Sequence, residues 1–167
     1  MHAHAKRVLL WLLLGASVGV ACGASSAAFL ASLEVVTQLR IRHPGLVWLL
    51  PIAGLVLGGV YERYGTPIRG GADLVLETIH GGRAQLPLRM APMVAVGTLL
   101  THLFGGSAGR EGTAVQMGAS LADLVAHRAK ADSMLRRQLL VAGVAGGFGA
   151  VFGTPLAGLV FGLEYVT

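Results

Sequence analysis

The stretch "FGGSAGREGTAVQMGASLADL", residues 104–124, decides how the rest of the chain is read. It sets Arg110 and Glu111 side by side among Gly105, Gly106, Gly109 and Gly112, between two long apolar runs. The glycines permit a tight turn, and the pattern from Arg110 predicts a helix ending near His127. The first amide groups of such a helix lack internal partners. Together with the aligned peptide dipoles they present about half a positive charge, which attracts an anion. The attraction is stronger in a medium of low dielectric than in water. Glu111 lies within that field, so its carboxylate is the anion the tip holds when no other is present. A mobile anion enters only when Glu111 swings away, most easily after taking a proton. One side chain would then be both gate and proton carrier. Glutamate in a first turn also has an ordinary use, stabilising the helix by about 0.3–1 kcal/mol. The flanking apolar runs favour function, because an ionisable group at membrane depth is costly to keep. Two roles stay open for Arg110, a pair with Glu111 or a reach toward a membrane interface.

The composition agrees with a membrane setting. Of 167 residues 54% are hydrophobic and only 13% charged, where a soluble domain carries about a quarter charged. The mean hydropathy is +0.68, and apolar runs approach or exceed the roughly 18–20 residues a bilayer crossing needs. The 25 glycines have no three-residue period and are set within Leu/Val/Ala runs, which suits helices that approach closely in lipid. The net charge of +5 lies in short inter-helical segments with few aromatics, as at the ends of membrane spans, and not as in a nucleic-acid surface. Cys22 is the single cysteine. It forms no intrachain disulfide or metal cluster and reads as a small core residue.

Read along the chain, a first helix is expected from about Lys6 to about Leu39, too long for one perpendicular crossing and therefore tilted. Lys6 and Arg7 place its N-terminus on the cytoplasmic side. The segment could also be a secretory or lipoprotein signal ending at Cys22, but the small apolar pattern continues through Leu33, which favours an uncleaved helix. Gly15, Gly19 and Gly23 form a smooth stripe suited to close helix packing. After the turn Arg40–Gly45, a second helix is expected over Leu46–Tyr64, with Pro51 kinking it or lying in its first turns. A short amphipathic piece follows at Ala72–His80, then a spanning run from Leu88 to about Phe104. Beyond the opening stretch, a basic turn reads as cytoplasmic. Two last segments, about Met134–Val151 and Pro155–Val166, are divided by "FGTP", where Thr154 and Pro155 suit an N-cap and first helical position. Half-helices and glycine-rich breaks describe an all-α integral membrane protein with tilted and broken helices, as in transporters that bind ions at helix ends near the midplane.

Nucleotide-binding loops fail on spacing. G-x-x-x-x-G-K-[ST] would need glycine at Phe104, and Arg110 is followed by glutamate. No Ser/His/Asp arrangement stands out. His102, inside an apolar run, reads as a packed or hydrogen-bonded histidine in preference to a proton relay.

At "GREGTAVQMGASL" (Gly109–Leu121) and "FGTPLAGLVFGLE" (Phe152–Glu164) the sequence resembles the ClC family of chloride channels and anion/proton antiporters. That family carries G-[KR]-E-G-P followed by V-Q and a small-residue helix, then an F-x-x-P-L-A-G helix, in this order. The resemblance runs from the second helix to the end and, more weakly, over the first. It implies a ClC-type transporter fold, with residues 1–167 as the first of two inverted repeats, in a homodimer with one anion pathway per subunit. Glu111 matches the external gating glutamate; Gly109, Arg110 and Gly112 match the loop whose helix tip faces the anion. The family's G-S-G-I-P falls at "GADLV", Gly71–Val75, so Ala72 stands where a serine hydroxyl contacts the anion, and Asp73 follows it. Thr113 replaces the proline, and Tyr165, just after Glu164, falls at the internal proton-transfer glutamate of chloride/proton antiporters.

These departures resemble the divergent bacterial branch that exports fluoride in exchange for protons. Fluoride is small, strongly hydrated and a good hydrogen-bond acceptor, so it needs donors, and Thr113 offers a hydroxyl near the gate. The implied site is Glu111 for gating and proton coupling, with Gly109, Arg110, Gly112, Thr113, Gly71 and Ala72 around the anion. No enzymatic activity, catalytic residue, metal or cofactor is expected. The implied partners are halide anions, protons, the lipid bilayer, a second copy and a missing C-terminal half, without nucleic acid, in the bacterial inner membrane. Two other readings are a ClC chloride channel or chloride/proton antiporter, and a truncated membrane fragment that transports nothing. Because only the first repeat is accounted for, the chain is expected to be a fragment, a truncated reading frame or half of a split transporter.

Overall fold

The computed structural model describes residues 2–81 and 85–166, with side chains from Val8 onward. Among these residues every regular element is helical: α1 (His2–Arg42), α2 (Leu50–Tyr64), α3 (Gly71–Ile79), α4 (Met90–Leu103), α5 (Arg110–Arg128), α6 (Ser133–Phe152) and α7 (Pro155–Glu164), with short 3-10 turns before α2 and α3. Lys6 and Arg7, on which the cytoplasmic placement of the N-terminus rests, have side chains outside the described residues.

The 41 residues of α1 extend about 60 Å, twice a hydrocarbon core of roughly 30 Å. Val18, Cys22, Ser26 and Phe29 form its buried stripe, packed on α4, α5 and α6. Cys22 is indeed a core residue, its thiol 3.7 Å from the Gly143 carbonyl. The second helix starts later than expected. A 3-10 turn at Pro44–Leu49 precedes α2, and Pro51 lies in the first turn, where its missing N–H costs nothing. The run predicted to span from Leu88 to Phe104 is shorter than that. At 14 residues, α4 covers about 21 Å and falls short of a full crossing. Segments 8–42 and Pro44–Tyr64 are long and apolar enough to cross a membrane, and both are largely exposed.

The core is the crossing of α5 and α6. Ala114, Val115, Met117, Ala119 and Ala122 of α5 are buried, as are Leu139, Leu140 and Val144 of α6. Glycine brings the two backbones together: a methyl group built on Gly143 would stand 2.5 Å from both Ala122 Cβ and the Gly118 carbonyl oxygen. At the next crossing, a methyl group on Gly158 of α7 would stand 2.6 Å from the Ala145 carbonyl oxygen of α6. The stripe expected to do this, Gly15, Gly19 and Gly23, has nothing within 4 Å of where its methyl groups would be. Its spacing is that of a packing stripe, but no other part of the described chain presses on it.

One buried ion pair locks the arrangement. Asp123, 0% exposed, accepts Arg136 Nε at 2.6 Å, Arg136 Nη2 at 3.1 Å and the Leu86 amide at 2.6 Å. It thereby ties α5 to α6 and to the segment before α4. At the "FGTP" break, Gly153 is left-handed (φ +66°) and ends α6. Thr154 and Pro155 occupy the expected N-cap and first positions of α7, although the threonine hydroxyl makes no capping bond.

Candidate functional site

Helix α5 begins at Arg110, as the glycines imply, and its N-cap is Gly109 in an extended conformation (φ −70°, ψ 128°). Glycine has no side chain to cap with, and no side-chain cap is made. The first-turn amides therefore keep the partial positive charge of a helix tip. Gly105 turns the incoming chain with φ +81°, a conformation that side chains disfavour.

Glu111 is folded back over this tip. A methyl group on Gly109 would lie 2.9 Å from Glu111 Oε2, so the space left by the missing side chain admits the carboxylate. Glu111 is exposed and makes no hydrogen bond or ion pair with the described residues. Of the two roles open for Arg110, the pair with Glu111 is not made. Its guanidinium instead stands over the Phe152 ring, 5.5 Å from the centroid, a cation–π arrangement.

Thr113 is placed differently from the expectation of a hydroxyl offered to the anion. It is buried, and its Oγ1 donates to the Gly109 carbonyl at 3.2 Å while lying 2.7 Å from Thr98 Oγ1. A carbonyl can only accept, so with Thr113 donating to it, Thr98 donates to Thr113. The Thr113 proton thus secures the N-cap carbonyl. His102 is hydrogen-bonded, as expected, with Nδ1 2.9 Å from the Thr98 carbonyl.

The second motif lies at the tip of α3. Gly71 is left-handed (φ +54°), and Gly70 supplies no side-chain cap. Ala72 is exposed, and its carbonyl accepts the Tyr165 hydroxyl at 2.8 Å. The two tips meet at Gln116, a residue to which the sequence reading gave no role although it lies in the quoted V-Q. Methyl groups built on Gly71 and on Gly112 would lie 3.7 and 3.8 Å from Gln116 Nε2. Its amide makes no hydrogen bond with the described residues, so its N–H donors remain open. Its position four residues after Gly112, one turn along the same face, was the available signal.

An aromatic row also joins the two motifs. Phe152, Phe148, Phe161 and Tyr165 follow one another with centroid separations of 4.7, 4.1 and 5.5 Å, the middle pair stacked. The row runs from Arg110 at one tip to the Ala72 carbonyl at the other. Chemically, the arrangement offers two uncapped helix tips, a free amide between them and one unpaired carboxylate able to leave. No cluster of His, Cys, Asp and Glu suited to a metal occurs among the described residues.

Comparisons with known proteins bear on the family and the fold. The family model for the voltage gated chloride channel matches residues 53–167. A chloride/fluoride channel protein of Pseudomonas syringae pv. tomato is 50% identical, covering 92% of this chain and 34% of that protein. The H(+)/Cl(-) exchange transporter ClcA of Cronobacter sakazakii is 35% identical, covering 95% and 37%. The crystal structure of a CLC-type fluoride/proton antiporter superposes with a TM-score of 0.89 at 37% identity, over 94% of this chain and 40% of that one. The chain thus spans a little over a third of the length of these relatives. An all-helical ClC-type fold, matched by the family model over residues 53–167, places the chain in the voltage-gated chloride channel family.

Proposed function

We propose that the chain is the N-terminal half, the first inverted repeat, of a bacterial inner-membrane transporter that exports fluoride in exchange for protons. Glu111 serves as its gate and proton carrier. The observation that carries this reading is the unpaired Glu111 carboxylate folded over the uncapped tip of α5. In the resting state the carboxylate holds the tip's partial charge. Protonation removes its attraction to the tip, and the side chain, restrained by no other bond, swings out. A halide then takes the freed amides of Gly109, Arg110, Glu111 and Gly112. On the inner side, the α3 tip at Gly71 and Ala72 faces the same point through Gln116.

Fluoride suits this lining better than chloride. A small, strongly hydrated anion has to be compensated by donors at short range, and the Gln116 amide supplies neutral N–H groups between the two tips. Tyr165 and Ala72 replace groups that the chloride/proton antiporter pattern carries. The names of the Pseudomonas relative and of the antiporter crystal structure support the same choice. The relative named an H(+)/Cl(-) exchange transporter supports a second reading, a chloride channel or chloride/proton antiporter. The pathway in this proposal is completed by a C-terminal half, and the working unit is a homodimer.

Liposomes containing the complete transporter decide between these readings. Fluoride release much faster than chloride release is the expected result, and comparable rates favour the second reading. Glu111→Gln, which mimics the protonated gate, should let fluoride move without protons. Proton coupling unchanged in that variant removes Glu111 from the mechanism. If the chain alone gives no flux and the complete protein gives none either, the reading as a non-transporting scaffold stands.

A further inference from the structure

Two adjoining cavities open at the end of the molecule where α1 begins, away from the motif tips. The first, about 470 Å³, is lined by Leu10 and Trp11 of α1, by Lys130 and Asp132 of the turn before α6, and by Met134, Leu135 and Gln138 of α6. The second, about 330 Å³, is lined by His80 at the end of α3 and by Met134, Arg136, Arg137 and Leu140 of α6. Met134, 73% exposed, borders both. Each has the volume of a small-molecule site, and they differ in chemistry: one wall is largely aliphatic and aromatic, the other cationic.

Basic residues outnumber acidic ones around them, although the exposed Asp132 also lines the first cavity. Arg128, Lys130 and Arg137 are exposed, and neither Lys130 nor Arg137 has a side-chain partner among the described residues. Two acids lie nearby, and each has a bond of its own. Asp132 Oδ1 accepts the Leu135 amide as the cap of α6, and Asp123 is buried on Arg136. The Trp11 indole N–H donates to Gln138 Oε1 at 2.8 Å, so the ring has one wet edge and an apolar body, the arrangement found at membrane–water boundaries. Beside it Val8, Leu9, Leu12 and Leu13 are 46–60% exposed, an apolar face that calls for acyl chains.

We propose that these cavities form a binding site for one anionic phospholipid, its phosphate on Arg137 and Lys130 and an acyl chain along Leu10, Trp11 and Leu135. Basic pockets between membrane helices favour anionic headgroups in this way. A free phosphate would satisfy the cations but leave the apolar cavity against water, and a neutral lipid would leave the cations without a counter-charge. The site is independent of the transport reading.

The test uses Trp11 as its own reporter. The only other tryptophan, Trp48, is 83% exposed in the turn after α1, and Trp48→Phe leaves Trp11 as the sole emitter. The chain is reconstituted in phosphatidylcholine vesicles containing a small fraction of brominated phosphatidylglycerol or brominated phosphatidylcholine. The anionic quencher should act on Trp11 at a mole fraction lower by about fivefold for each contributing cation. Lys130→Gln and Arg137→Gln should each remove about that factor. Lys130→Glu and Arg137→Glu, which reverse the charge, should each remove more, and inorganic phosphate should not compete. Equal quenching by both lipids, quenching indifferent to all four substitutions, or relief by inorganic phosphate overturns the proposal. So does a Trp11 that neither lipid reaches, which would mean that other protein covers the groove.

Discussion

The tightest contact between α5 and α6 gives the sharpest test of the packing argument. In Gly143→Ala the new methyl carbon would sit 2.5 Å from Ala122 Cβ and 2.5 Å from the Gly118 carbonyl oxygen. Carbon atoms settle at about 3.5–4.0 Å, so the helices must part by about 1 Å, and a gap of that size forfeits a quarter to a half of each neighbouring dispersion contact. Overpacking costs about 1–3 kcal/mol, and the upper end applies here because a backbone carbonyl and a Cβ cannot rotate away. Gly19→Ala is the matched control. Nothing lies within 4 Å of its methyl position, and alanine in a helix gains about 0.5–1 kcal/mol over glycine. The two variants should therefore differ by about 3 kcal/mol, or roughly 6–12 °C in Tm for a chain of this size. Thermal unfolding followed by circular dichroism, with both variants in the same detergent, measures the difference. If Gly143→Ala melts within about 2 °C of Gly19→Ala, below the shift of 1 kcal/mol, the close approach of α5 and α6 is refuted.

Other changes probe the ion pair and the tips. Asp123→Asn removes the buried negative charge facing Arg136 and should cost about 2–3 kcal/mol, less than for a wholly buried pair because the Arg136 side chain is 18% exposed; a loss under about 1 kcal/mol in thermal unfolding contradicts the assignment. Tyr165→Phe removes the bond to the Ala72 carbonyl and should cost about 1 kcal/mol of stability in thermal unfolding. Gly109→Ala should fold normally, since its methyl group meets only the movable end of Glu111. It should nevertheless change the rate of anion release by expelling the carboxylate from the tip, and an unchanged rate argues against Glu111 as the gate.

Much of this molecule is legible in its sequence, and the reason is local. The α5 start at Arg110, the Pro155 start of α7 and the break at Gly153 follow from glycine and proline, whose backbone preferences act within a few residues. The membrane class follows from apolar run length, which the bilayer converts directly into structure. Glu111 at a helix tip could be read for the same reason, since its place in the first turn is a matter of sequence position. What the sequence could not supply is which faces meet. Gly15, Gly19 and Gly23 carry the same period as Gly143 and Gly147, yet only the second set is pressed against another backbone. The Thr113 hydroxyl is committed to Gly109 and Thr98, fifteen residues away in the chain in the latter case. Asp123 finds Arg136 and Leu86, and Gln116 comes to lie between the tips of α3 and α5. Run length, breakers and tip chemistry were determined by the sequence itself, because they depend on a residue and its near neighbours. The pairing of surfaces was decided only in the tertiary structure, because many faces have the right composition and only the packed chain brings particular ones together.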